Sequence, residues 1–185
     1  MAKSHAMTPQ QLLEQSELIY SAEAINAAVD LLAQQITAQL HDTCPLVMSV
    51  MGGAVVFSGQ LLPRLKFPLE FDYVQASRYH NQTSGQNLVW KVQPGNNVQG
   101  RTVLVLDDIL DEGHTLAAIK QKCLEQGAKR VVIAVFADKR LDHEKPIYAD
   151  FVGLTVPDRY VFGYGMDVHG WWRNLPAIYA LKDTL

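Results

Sequence analysis

Four carboxylates stand close together in the segment VLVLDDILDEGHTL, residues 103–116. They follow an apolar run that is typical of a buried strand, and they are Asp107, Asp108, Asp111 and Glu112. Carboxylates at this spacing repel one another, and the repulsion grows where water is partly excluded. We therefore expect a ligand that donates hydrogen bonds to them or brings positive charge.

Three interpretations of this acidic segment compete. A solvated loop with an acid capping the next helix explains one carboxylate but not four. A Walker-type magnesium site needs a GxxxxGK[ST] loop upstream, and a dinucleotide site needs GxGxxG after a strand; the chain has neither. A sugar-phosphate site fits best. Asp107 and Asp108, curling out of the strand, would accept bonds from two ribose hydroxyls, and the helix start near Thr115 would hold a phosphate.

The elements that must position these residues alternate between strands and helices. The pattern predicts a helical region over 8–40 with Ser21 as an N-cap, helices within 54–65 and 114–126, and a loop over 80–87. It predicts strands at 46–51, 69–79, 88–92, 102–108 and 130–139, and shorter ones within 149–157 and 160–167. This order indicates an α/β fold, a mainly parallel twisted sheet with helices on both faces, in which ligands bind at the carboxyl ends of strands.

Bulk composition excludes several classes of protein. The chain has 185 residues, 48% of them hydrophobic, which suits one domain with a sizeable core. Sixteen basic and 19 acidic residues give a net charge of −3, so we expect no nucleic-acid partner. No apolar run is long enough for a membrane span, and Cys44 and Cys123 make no disulfide framework. We expect a cytoplasmic protein without membrane contact.

Several segments carry a resemblance to a known family. VLVLDDILDEGHTL resembles the PRPP-binding motif of type I phosphoribosyltransferases. MGGAVVF is similar to the family's pyrophosphate-binding first loop, and SRYHNQTSG to its flexible second loop. VFADKR, DFVGLTVPDRYVFGYGMD and WWRNL resemble the purine-binding segments of hypoxanthine-guanine phosphoribosyltransferases. The resemblance implies a single type I phosphoribosyltransferase domain over 1–185, with a small hood built from terminal segments and a flexible active-site loop at about 78–88.

The resemblance also implies a reaction. Hypoxanthine or guanine, a 6-oxopurine, would react with PRPP in the presence of Mg²⁺ to give IMP or GMP and pyrophosphate. A preference for xanthine and a PRPP-binding regulatory protein of the same fold stay open as alternatives, although the presence of both Asp111 and Lys139 favours catalysis. Relatives of this kind are usually homodimers or homotetramers, and the apolar helix after Gly53 could form the interface.

By resemblance, Asp111 is the general base that takes a proton from the attacking purine. The residues implied to hold PRPP and Mg²⁺ are Asp107 and Asp108 for the ribose and the metal, Asp167 for a second metal, Glu112, Gly113, His114 and Thr115 for the 5′-phosphate, and Met51, Gly52 and Arg173 for pyrophosphate. The residues implied to hold the purine are Lys139 at the 6-oxo group, Tyr160 by stacking, Val161 through its backbone, and Asp167. Arg78 and Tyr79 would belong to the flexible loop.

Three positions depart from the family's usual pattern. Glu112 stands where threonine is common, so we expect its side chain to point away from the phosphate while its backbone N–H contributes. Met51 stands where several relatives carry lysine, and Arg78-Tyr79 where Ser-Tyr is expected.

Overall fold

The computed structural model describes residues 7–78 and 88–182. Its helices are α1 Pro9–Glu14, α2 Ala22–Leu40, α3 Val55–Leu61 and α4 His114–Glu125, with 3-10 turns at Leu62–Arg64 and Asn96–Val98. Its strands are β1 Glu17–Tyr20, β2 Leu46–Val50, β3 Glu70–Arg78, β4 Leu88–Val92, β5 Thr102–Leu110, β6 Arg130–Lys139, β7 Phe151–Val156, β8 Val161–Phe162 and β9 Ile178–Ala180.

Six strands form the central sheet in the order β4-β3-β2-β5-β6-β7. β2, β3, β5, β6 and β7 run parallel, and β4 pairs antiparallel with β3 at one edge. The predicted mainly parallel sheet is therefore confirmed. β5 lies in its interior between β2 and β6, so the acidic segment ends at the middle of the sheet's carboxyl edge.

The two faces of the sheet carry separate apolar cores because successive strand residues point to opposite sides. On one face Leu104 and Leu106 of β5 pack with Ile36 of α2 and Phe57 of α3. On the other face Val103 and Val105 pack with α4, whose buried residues are Leu116, Ile119 and Cys123. Each fully buried leucine or phenylalanine contributes about 1.5–3 kcal/mol, which holds the site's scaffold rigid.

A small second sheet forms the predicted hood. β1, β9 and β8 pair antiparallel in that order, so both terminal regions of the chain contribute to it. α1 packs on this sheet through Leu12, which contacts the cluster of Phe162 and Val168. The Trp172 indole donates a 2.9 Å hydrogen bond to the carbonyl of Pro9 and so ties α1 to the hood.

One sequence prediction is wrong, and two other predicted elements are present but shorter than the ranges given for them. Residues 8–40 are not all helical, because Glu17–Tyr20 pair with β9 as a strand; Ser21 does cap α2, its hydroxyl accepting from Ala24 N at 3.4 Å. The helix predicted within 54–65 ends at Leu61. Only Val161–Phe162 form a strand within 160–167, because Gly163 and Gly165 turn the chain at φ values of 95° and 103°.

The predicted flexible loop falls mostly outside the described residues. β3 extends to Arg78 and β4 begins at Leu88, and these two residues are paired, so the ends of the predicted 78–88 loop are strand. Tyr79 and residues 80–87 lie outside the described part of the chain. Within residues 7–78 and 88–182, no helix has the length and apolarity that crossing a membrane requires.

Candidate active site

The paired acids Asp107 and Asp108 lie inside β5, which continues to Leu110. The expectation that they curl out of the strand is therefore wrong: Asp107 and Ile109 pair in register with β6. Because consecutive strand residues face opposite sides, the two carboxylates serve two different cavities. Asp107 lines a cavity on the α4 side, and Asp108 lines one beneath the hood.

Burial makes these two carboxylates costly to ionise. Asp107 is 8% exposed, and its Oδ1 accepts from Asp108 N at 3.0 Å, while Asp108 Oδ1 accepts from Ile109 N at 2.8 Å. Burial, reinforced by the charge of Asp108, raises the pKa of Asp107 well above its usual range. Burial also raises the pKa of Asp108, against the opposing charge of Arg173. A ligand that brings cations or hydroxyl donors would relieve this cost.

The cavity on the α4 side has the features of an anion site. It has a volume of about 180 Å³, and its lining includes Asp107, Asp111, Gly113 and Thr115. Gly113 adopts a φ of 80° and precedes α4 directly, so the unpaired N–H groups of the first helical turn meet at this point. These groups and the Thr115 hydroxyl are donors suited to a phosphate.

Two residues of the phosphate loop behave differently from the rest. His114 is exposed and does not line the cavity. Glu112 lines the cavity, and its carboxylate lies 3.0 Å from Nε2 of His143. His143 belongs to the segment that follows β6. The Glu112 carboxylate is thus engaged by a side chain from another loop.

The cavity beneath the hood has a volume of about 210 Å³ and a mixed polar and apolar lining. Its walls are Asp108, Ile109, Asp111, Lys139, Tyr160, Val161, Met166, Asp167 and Arg173. At its floor Lys139 Nζ donates to Asp111 Oδ2 at 2.9 Å. The lysine side chain is 12% exposed and the aspartate side chain 46%, so an incoming ligand meets the carboxylate first.

The hood supplies the opposite wall. Tyr160 is 51% exposed, and the pKa of its hydroxyl is raised by burial and by Asp167, against the effect of Arg173, so it stays neutral near pH 7. Val161 is buried in β8. Arg173 pairs with the Asp167 carboxylate and donates to the carbonyl of Gly165 at 2.6 Å. The arginine is 43% exposed, which leaves part of its guanidinium open to the cavity.

The first loop, Met51–Gly53, packs against Asp108. Its Met51–Gly52 peptide bond is cis, and Met51 N donates to the carbonyl of Val74 at 2.8 Å. A Cβ added at Gly53 would lie 2.0 Å from Asp108 Oδ2, and one added at Gly165 would lie 2.1 Å from the carbonyl oxygen of Gly53. Only glycine permits these approaches, so the loop, the paired acids and the hood meet at one point.

The donor set fits magnesium when substrate completes the coordination. Within residues 7–78 and 88–182, no three histidine, cysteine, aspartate or glutamate side chains are grouped so as to hold a metal alone. Mg²⁺ commonly binds through one or two carboxylates, with phosphate oxygens and water as its other ligands. Asp108 and Asp167 line the same cavity, and Asp107 adjoins Asp108, which matches that pattern.

Most residues of the site were predicted from sequence motifs, but several were not. Ile109 and Met166, which are apolar walls of the cavity, and Gly165, which packs against the first loop, were not predicted from the sequence. Alternation along β5 could have indicated Ile109, since it lies between two acids of the motif. Lys145, which bonds the ends of β5 and β6, could not be predicted because it stands in a loop without a motif.

Comparisons with known proteins agree with this geometry. Residues 15–169 match the model of the phosphoribosyl transferase domain. The chain is 35% identical over 170 residues to a hypoxanthine-guanine phosphoribosyltransferase of Bacillus subtilis, covering 91% of this chain and 94% of that one. It is 33% identical to a hypoxanthine-guanine-xanthine phosphoribosyltransferase of Tritrichomonas foetus, covering 97% and 99%. The structure of a hypoxanthine phosphoribosyltransferase from Staphylococcus aureus superposes with a TM-score of 0.87 at 27% identity, covering 97% and 98%.

Proposed function

The chain belongs to the phosphoribosyl transferase family, and from this membership and the site geometry we propose that it converts hypoxanthine or guanine plus PRPP into IMP or GMP and pyrophosphate. Such a reaction serves purine salvage. The observation that carries the proposal is the Lys139–Asp111 pair at the floor of a cavity walled by Tyr160.

This pair matches one edge of a 6-oxopurine. O6 and N7 are neighbours on the same edge of the base, and an ammonium is a donor only, whereas a carboxylate is an acceptor only. Lys139 Nζ would donate to O6 while Asp111 accepts the ring proton carried at N7, which makes Asp111 the general base. The 2.9 Å between Lys139 Nζ and Asp111 Oδ2 suits an exocyclic O6 and a ring N7 that lie side by side on one edge of the base. Adenine would present an amino group to the lysine, so it would bind poorly.

The other walls would orient the base and the sugar phosphate. The Tyr160 ring would stack on the purine, and the backbone groups of Val161 would form hydrogen bonds with the edge of the purine. Asp107 and Asp108 would accept bonds from the ribose hydroxyls. The start of α4, from Gly113 to Thr115, would bind the 5′-phosphate, and Gly52, Met51 and Arg173 would contact the pyrophosphate.

Departure of pyrophosphate gives an oxocarbenium-like centre on the ribose, so the leaving group must be neutralised. One Mg²⁺ beside Asp107 and Asp108 and a second near Asp167 would supply that neutralisation when bound with PRPP. Arg173 adds positive charge at the same place.

A self-association is part of the proposal. Val55 at the start of α3 and Phe71 and Tyr73 on β3 are 49%, 48% and 43% exposed, so they offer an apolar surface to a second copy in a homodimer or homotetramer. Light scattering of the purified chain tests this, and a Phe71→Glu variant should shift it toward monomer. We also propose a cytoplasmic location, where PRPP and purines are available.

The test of the reaction is a panel of bases. Purified protein with PRPP and Mg²⁺ is offered hypoxanthine, guanine, xanthine and adenine separately, and nucleotide formation is followed by absorbance, with a magnesium-free control. The expected result is product from hypoxanthine or guanine, far less from adenine, and none without metal. Preferred use of xanthine would support the xanthine alternative. Measurable PRPP binding without product from any base would support a regulatory protein.

A further inference from the structure

A buried lysine that no motif indicated lies directly behind the Lys139–Asp111 pair. The Lys145 side chain is 8% exposed, although the residue stands in the segment between β6 and β7. Its ammonium donates to the carbonyl of Leu110 at 2.9 Å, to the carbonyl of Lys139 at 2.6 Å and to Asp138 Oδ1 at 2.7 Å. An ammonium has three donors, and all three are used.

The three acceptors are the backbone and side chain on which the pair depends. Leu110 is the residue immediately before Asp111, and Asp138 is the residue immediately before Lys139. The register of β5 with β6 ends at Leu110 and Asp138. Beyond that point the sheet's hydrogen bonds no longer fix the distance between the two strand ends. Lys145 bridges them where the ladder stops.

We propose that Lys145 is a positioning residue for the transferase reaction, which holds the ends of β5 and β6 so that Asp111 and Lys139 meet one edge of the purine. The proposal rests on the roles given above to Asp111 and Lys139. Lys145 is not a catalytic residue, because it does not line the cavity beneath the hood.

Charge and burial explain why a lysine stands here. The Leu110 and Lys139 carbonyls both accept from the buried Lys145 ammonium. A buried carbonyl without a hydrogen-bond partner lowers stability by about 1–3 kcal/mol. The Asp138 carboxylate, whose side chain is 33% exposed, balances the ammonium. A neutral residue in place of Lys145 would release both carbonyls, and the strand ends would separate with the two site residues attached.

The first variant is Lys145→Met, which keeps the length of the side chain and removes its donors. This variant leaves the Asp138 carboxylate without its ion-pair partner. A second variant, Lys145→Met with Asp138→Asn, therefore also removes that charge, so that the protein is less destabilised. The matched control is Arg101→Met. Arg101 makes the same kind of link, to Glu70 and to the carbonyl of Cys44, but at the opposite end of the sheet.

The readout is the full set of kinetic constants at saturating partner substrate. In both Lys145 variants we expect kcat to fall by roughly 10- to 100-fold, which a misplacement of about 1 Å can produce. We expect the KM for hypoxanthine to rise, while the KM for PRPP stays within about threefold, since the ribose acids are held within paired β5. Arg101→Met should lower the thermal stability and leave kcat, the KM for hypoxanthine and the KM for PRPP unchanged.

Two results would overturn the role of Lys145. One is wild-type kcat and purine KM in the double variant. The other is an equal loss in the double variant and in Arg101→Met, which would mean that only general stability matters. Failure of the unmodified chain to form nucleotide is a different outcome, because it contradicts the transferase reaction itself.

Discussion

Replacing Gly53 with alanine tests how closely the first loop is packed against the ribose acids. The added Cβ would lie 2.0 Å from Asp108 Oδ2, 2.6 Å from its Cγ and 2.9 Å from its Oδ1. The added Cβ would therefore clash with all the atoms of the Asp108 carboxylate, which already accepts a 2.8 Å hydrogen bond from Ile109 N. On its other side, the carbonyl of Gly53 is packed against Gly165, so the loop has little room to retreat.

The size of the effect follows from these distances. Ordinary contact begins at 3.4 Å, so the carboxylate or the loop must move by about 1.4 Å, the difference between 3.4 and 2.0 Å. Overpacking of this kind costs about 1–3 kcal/mol of stability. Because a displacement of about 1 Å can cost 10²-fold in rate, we expect kcat/KM for PRPP to fall by roughly that factor.

The assay compares Gly53→Ala with Gly59→Ala by steady-state kinetics and thermal unfolding. Gly59 lies within α3, and a Cβ there would meet no atom within 4 Å in the described part of the chain. Alanine is favoured over glycine in a helix by about 0.5–1 kcal/mol, so Gly59→Ala should raise Tm and keep the kinetics. Wild-type kcat/KM for PRPP in Gly53→Ala would refute the reasoning.

Substitutions at three residues, Asp111, Tyr160 and Tyr164, test the roles of individual side chains. Asp111→Asn should keep PRPP affinity in titration calorimetry while kcat falls by roughly 10²- to 10⁴-fold, and an unchanged kcat would remove Asp111 from the chemistry. Tyr160→Ala should raise the purine KM by roughly 10-fold or more through lost stacking, whereas Tyr160→Phe should not; equal effects would argue against stacking. Tyr164 has a buried hydroxyl without a hydrogen-bond partner among residues 7–78 and 88–182, so Tyr164→Phe should raise the free energy of unfolding by about 1 kcal/mol, and a clear loss in denaturant unfolding would contradict this.

Elements with a long, regular pattern could be predicted from the sequence. β6 at Arg130–Lys139 and β4 at Leu88–Val92 match their predicted bounds, because each is a run of strand formers between turn residues. The acidic motif also indicated that strand β5 is followed directly by a helix start, which the structure has at His114.

The hood strands could not be predicted in the same way. β1 has four residues and β9 three, and neither is stable alone. Leu18 pairs with Tyr179, so the strand character of Glu17–Tyr20 depends on a partner about 160 residues away. Local spacing favoured a helix there because apolar residues continue on both sides.

Part of the site depends on contacts that a linear pattern does not carry. The motif located Asp107 and Asp108, but not that they serve opposite faces of one strand. The position of Glu112 beside His143, and of Lys145 behind Asp111, is set by how the segment after β6 folds back on the end of β5. That return follows from tertiary packing and not from any periodicity.

The central claim is that Lys139 and Asp111 together read the 6-oxo edge of the purine. The most direct measurement is the ratio of kcat/KM for hypoxanthine to that for adenine, in the wild-type chain and in Lys139→Ala. A hydrogen bond to a charged group contributes about 1.5–3 kcal/mol, so the variant should lose roughly 10- to 100-fold in kcat/KM for hypoxanthine, lose little for adenine, and keep the KM for PRPP. The ratio of kcat/KM for hypoxanthine to that for adenine should therefore fall by nearly the same factor. An unchanged ratio, or an equal rise in the KM for hypoxanthine and the KM for PRPP, would contradict the account and make Lys139 a structural residue.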